Sequence, residues 1–228
     1  MYSEKAFFYY IMRTFGGGKS NERKNYLMKK LYNTFALAVL SGIMIGFGGV
    51  VFLMCESRVV GSLLFSFGLL TIVCQGFALY TGRVGYFRTY GWAQMAATLV
   101  GNFVGTFLMG KLFTLTRLPV VEAVQSIVAT KLGDGSLSVF VLSVGCGAMM
   151  YLAVDNYRKS QSWLFIILPI VIFILSGFEH SIANMFYLTL ADAWGWDALR
   201  ITVIAILGNA VGSWMVNASN FLLKEKEE

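Results

Sequence analysis

His180 is the only histidine in the chain, and it follows Glu179 directly in the middle of the apolar stretch 163–190. An imidazole donates or accepts a hydrogen bond and titrates near neutrality. A neighbouring carboxylate makes the pair an acid–base couple or a polar station for a small solute. Ser176, Ser181 and Asn184 add polar groups, and Gly177 loosens the helix just ahead of them. About 20 apolar residues cross the roughly 30 Å of a bilayer's hydrocarbon, so this stretch is long enough to span. An ionisable group at bilayer centre costs about 2.5–3.5 kcal/mol on insertion scales, which turns it toward protein or a water-filled path. Irregular backbone at that depth is tolerated only against protein or a cavity. The pattern reads as a permeation or binding site at mid-membrane.

Other chemistries lack their parts. Cys55, Cys74 and Cys146 are scattered in or beside apolar runs, with neither metal nor disulfide spacing. No nucleophile–base constellation is visible around Glu179 and His180, so an acid–base membrane enzyme is disfavoured; no metal, cofactor or ATP-hydrolysing domain is expected. Gly18-Lys19-Ser20 imitates the end of a phosphate loop, but Arg13 stands where that pattern needs glycine.

The composition agrees. Of 228 residues 57% are hydrophobic and 13% charged, with a mean hydropathy of +0.67. A soluble domain carries nearer a quarter charged residues. The net charge of +6 resides at the chain ends and between apolar runs, which excludes a nucleic-acid face and points to membrane topology. Six apolar segments, at about 31–54, 60–82, 92–113, 135–154, 162–191 and 198–223, predict an all-α membrane protein. Residues 1–30 read as an aromatic, then basic, interfacial segment without a cleavable signal, 31–223 as one channel domain, and 224–228 as a tail. With both termini cytoplasmic, 13 Lys and Arg fall inside and 5 outside, as the positive-inside rule favours.

The two halves echo each other. Gly101, Asn102 and Gly105 recur as Gly208, Asn209 and Gly212; Gly76-Phe77 recurs as Gly177-Phe178; Val39-Leu40-Ser41 recurs as Val141-Leu142-Ser143. Three spans per repeat is an odd number, so the halves must be inverted, with helices 2 and 5 interrupted around a central site. The glycine-rich stretch 75–85 is the partner break that should face His180. Gly42/Gly46, Gly101/Gly105 and Gly208/Gly212 have the spacing of close helix packing. Asn102 and Asn209 are expected to bond between helices.

The run Gly177-Phe178-Glu179-His180-Ser181-Ile182-Ala183-Asn184-Met185, together with Leu79-Tyr80-Thr81-Gly82, resembles the formate/nitrite transporter family over essentially the whole chain. The resemblance implies an aquaporin-like protomer, a pentamer in a prokaryotic cytoplasmic membrane, and small monovalent anions as permeants. By position it implies a central pore of His180, Thr81, Ser181 and Asn184. It implies apolar constrictions at Phe65 with Leu79 and at Leu69 with Phe173, and anion attraction by Lys131 near the outer end of the fourth helix. Glu179, Gly177 and Gly82 are read as structural at the breaks, with Glu179 accepting freed backbone donors. Gly147 replaces an asparagine of many members, and Arg83-Val84-Gly85 departs from the formate channels. These departures favour hydrosulfide as the permeant, with transient protonation by His180 as one way for it to pass. Formate or nitrite, alone or with a proton, and a neutral solute are the alternatives.

Overall fold

The computed structural model describes residues 18–224, with side chains over 21–219. In chain order the helices are α1 (Gly18–Met54), α2 (Arg58–Cys74), α3 (Tyr80–Arg83), a 3₁₀ turn (Val84–Tyr86), α4 (Phe87–Tyr90), α5 (Trp92–Phe113) and α6 (Val120–Gly133). Then follow α7 (Ser136–Ser160), α8 (Leu164–Leu175), α9 (Ser181–Leu190) and α10 (Trp196–Lys224). Four of these, α1, α5, α7 and α10, are long and apolar enough to cross a membrane. At the two places where interrupted spans were expected, the chain forms shorter pieces, α2 then α3 and α8 then α9, each pair separated by a turn.

Two three-part units pack against each other. In the first, α1 lies along α5 and against α2; in the second, α7 lies along α10 and against α8. Glycine sets the spacing. A Cβ on Gly105 would land on the Val39 carbonyl oxygen, and one on Gly212 would land on that of Val144. Helices without side chains at the crossing approach closely enough for dispersion to replace the missing hydrophobic drive in lipid. The ends of α7 and α10 meet the 3₁₀ turn, where Trp214 Nε1 donates to Val84 O at 2.8 Å and Asn217 Nδ2 to Gly85 O at 2.8 Å. That turn leads directly into the start of α5, so α7 and α10 run opposite to α1 and α5. Both described chain ends therefore lie on one face, the chain-end face below.

Large apolar side chains such as Phe67, Leu64, Leu108, Leu168 and Leu207 are exposed around the bundle. Trp92, Trp163 and Trp196 stand exposed at or just before the starts of α5, α8 and α10, where amphipathic rings suit a membrane–water boundary.

Two expectations change. Stretch 114–134, left between spans, contains α6, whose Val120, Val124 and Val128 form a buried i, i+4, i+8 stripe. The segment expected to end at residue 30 is not separate over its described part, because α1 runs unbroken from Gly18. The remainder of that segment, 1–17, and tail residues 225–228 lie outside the described residues.

Candidate functional site

Two matching turns build the site. Gly76 and Gly177 take left-handed backbones, φ 69° and 70°, after α2 and α8. The following residues close each helix in the same way. Phe77 N donates to Ile72 O at 2.9 Å and Gly76 N to Val73 O at 3.2 Å; Phe178 N donates to Phe173 O at 3.0 Å and Gly177 N to Ile174 O at 3.2 Å. This 6→1 and 5→2 pair satisfies orphan carbonyls at a helix end and needs glycine at the left-handed position.

After each turn, the residue just ahead of the next helix is extended. Leu79 has φ −108° and ψ 128°; His180 has φ −100° and ψ 111°. Each is bracketed by an asparagine acting as a substitute strand partner. Asn102 Nδ2 donates to Ala78 O at 2.8 Å while its Oδ1 accepts from Tyr80 N at 2.9 Å. Asn209 Nδ2 donates to Glu179 O at 2.9 Å while its Oδ1 accepts from Ser181 N at 3.0 Å. Each amide also reaches a long helix, at Ala38 O and Ser143 O, both 2.8 Å. The expected interhelical bonds are thus made, and they additionally fix Leu79 and His180 from both sides. Sequence reasoning missed that task, although the recurring Gly-Asn pair carried its signal.

His180 and Thr81 meet, with Nε2 and Oγ1 2.9 Å apart, and both are buried. His180 Nδ1 accepts from Ala183 N at 3.1 Å, capping α9. In the neutral ring Nε2 therefore carries the hydrogen and donates it to Thr81, leaving the threonine's own hydrogen free for another acceptor. Phe173 stacks on the imidazole at 5.7 Å and 28° between planes.

The apolar residues pair differently from expectation. Phe65 meets Phe173 edge-on at 6.2 Å, and Leu69 and Leu79 line one cavity toward the chain-end face. The helix turn between Phe65 and Leu69 separates the two groups, and the turn at Gly76 brings Leu79 beside Leu69.

Glu179 accepts Lys131 Nζ at 2.8 and 2.7 Å and Asn184 Nδ2 at 2.7 Å, so side chains rather than backbone donors hold its carboxylate. Lys131 lies in the last turn of α6, ahead of the long α7, and only 14% of its side chain is exposed. Its charge is matched locally by Glu179. Asn184 therefore serves Glu179 with its nitrogen, while its Oδ1 and Ser181 Oγ are buried without a partner among the described residues. Gly82 is buried near Val154, and Gly147 is pressed onto the Asn209 backbone, where any side chain would collide. Packing against Asn209 thus requires glycine at 147. No group of three or more metal-ligating side chains occurs among the described residues.

A polar centre between two matched turns, walled by apolar side chains and wrapped in a lipid-compatible belt, defines a membrane transport protein. Residues 18–222 match the profile described as formate/nitrite transporter; the chain belongs to that family. It is 27% identical over 179 residues to the uncharacterized transporter YrhG of Bacillus subtilis, which covers 68% of this chain and 67% of that one. It is 29% identical over 182 residues to the formate channel FocA of Escherichia coli K12, with 67% and 64% covered. To the nitrite transporter NirC of the same strain it is 28% identical over 139 residues, with 53% and 52% covered. The match thus spans about two thirds or less of these relatives. In fold it resembles a pentameric formate channel with formate bound, with a TM-score of 0.75 at 23% identity over 86% of this chain and 98% of that one. An FNT family ion channel gives a TM-score of 0.73 at 21% identity, over 88% and 92%.

Proposed function

We propose that this protein is a channel for small monovalent anions, with formate and nitrite as its permeants, working as a pentamer with both termini cytoplasmic. The two broken stretches are then its second and fifth spans, making six in all. The observation that carries the reading is the Thr81–His180 contact, held where the two turned-back loops meet and closed in by Phe65, Phe173, Leu69 and Leu79. An anion stripped of water there needs donors. Thr81 supplies its free hydroxyl hydrogen, polarised by the His180 N–H behind it, and a donor to a charged partner is worth about 1.5–3 kcal/mol. The resting ring acts as a donor through Thr81 rather than as an acid. A proton on Nδ1 would point at the Ala183 N–H, so His180 must leave its cap before it can lend one.

The relatives named above support formate and nitrite. Hydrosulfide rested partly on Gly147, which packing now explains. The test is flux of formate, nitrite, hydrosulfide and chloride into liposomes holding the purified protein, for wild type and His180→Ala. Formate and nitrite should pass in preference to chloride, and the substitution should change that preference about tenfold, the value of one such hydrogen bond. Equal leakage of all solutes, neutral ones included, would replace this reading with a neutral-solute channel.

A further inference from the structure

We propose that the cavity on the chain-end face is a second anion station, built by Arg83 and Arg158 to hold a small planar oxyanion before it reaches Leu79. The proposal rests on the channel reading and adds the site that loads it.

The cavity measures about 190 Å³ and is lined by Leu69, Leu79, Gly76, Arg83, Tyr90 and Arg158, among others. Tyr90 brings the two cations together. The Arg83 guanidinium lies 4.8 Å from the centre of its ring, and Arg158 Nη2 donates to its hydroxyl at 3.3 Å. Arg83 is anchored by Nη2 to Gly76 O at 3.3 Å, and Arg158 lies 4.5 Å over the Tyr86 ring. These contacts are aromatic or neutral. Among the described residues neither arginine forms an ion pair. The neighbouring carboxylate, Asp155, is instead taken by Tyr86 Oη at 2.8 Å and by Lys159 at 2.7 Å.

Two like charges held at one cavity without a carboxylate repel each other, and an anion between them removes the repulsion. Low-dielectric walls focus such a field and raise the local anion concentration. Lys131, by contrast, has its charge matched by Glu179. The guanidinium fork matches a planar anion with two oxygens, which an ammonium does not do. Formate and nitrite have that shape; hydrosulfide, with one heavy atom, offers both prongs of the fork a single acceptor and gains less from it. The station therefore favours oxyanions.

The probe is formate. Its half-saturation concentration is read from flux in proteoliposomes, and its binding from saturation-transfer NMR on the solubilised protein. Arg158→Gln carries the test, because Arg158 holds no backbone group and its loss leaves the Gly76 turn intact. It should raise half-saturation roughly tenfold and weaken the NMR contact in parallel, as loss of a charged donor does. Arg83→Lys, which keeps the charge but not the fork, should raise half-saturation for formate and nitrite more than for hydrosulfide. Lys111→Gln removes one charge at the far end of α5 and should match wild type. Formate half-saturation and NMR contact unchanged in Arg158→Gln would overturn the station while leaving the channel standing. Formate binding lost in Arg158→Gln, with no flux in wild type, would sustain the station and overturn the channel.

Discussion

At the scale of single residues, the structure separates two polar contacts that the sequence runs together. Glu179 and His180 are neighbours in sequence, yet the carboxylate serves Lys131 and Asn184 while the imidazole serves Thr81. Different roles predict different phenotypes. Thr81→Val removes the hydroxyl that faces the anion and should lower formate flux about tenfold, whereas Thr81→Ser keeps it and should retain most flux; isotope uptake measures both. Glu179→Gln strands a largely buried ammonium. Removing one partner of a buried pair costs about 3–5 kcal/mol, so this variant should melt well below wild type in detergent. Adding Lys131→Met should recover most of the loss, since a buried pair is often replaceable by apolar groups. No recovery would assign Lys131 a role apart from Glu179.

At the scale of elements, the turns after α2 and α8 are the parts most legible in the sequence. Gly76-Phe77 and Gly177-Phe178 announce them, because a helix that stops inside an apolar run needs a residue free to adopt positive φ. Nothing lies within 4 Å of a Cβ placed on either glycine, so substitution there meets backbone strain alone. Gly76→Ala and Gly177→Ala should each destabilise by about 1–2 kcal/mol, and asparagine should be milder, as thermal melting would register. Less legible were features that depend on a partner's position. The partners of Phe65 and Leu69 depend on how far each turn folds back, which spacing along a strand of text does not encode. Likewise α6 hid because its three buried valines are too few to register as a span, and its polar face passes for a loop. The packing reason for Gly147 was hidden too, because the crossing helix that fills the space above it is invisible in one dimension.

At the scale of the whole molecule, the two halves share a backbone plan but not a charge plan. One turn leads to a neutralised Lys131–Glu179 pair, the other to two arginines without a carboxylate partner among the described residues. An equal-sided pore would conduct alike in both directions. This one should rectify. With formate imposed on one side only, the two directions should match well below saturation and part near it, half-saturation lying lower from the chain-end face, and Arg158→Gln should shrink the difference. No net movement arises without a gradient, because a fixed charge lowers the entry and exit steps of its own mouth without changing the equilibrium between the two sides. The asymmetry thus acts as a kinetic bias on a passive pore, set by which of two matching mouths lacks a carboxylate.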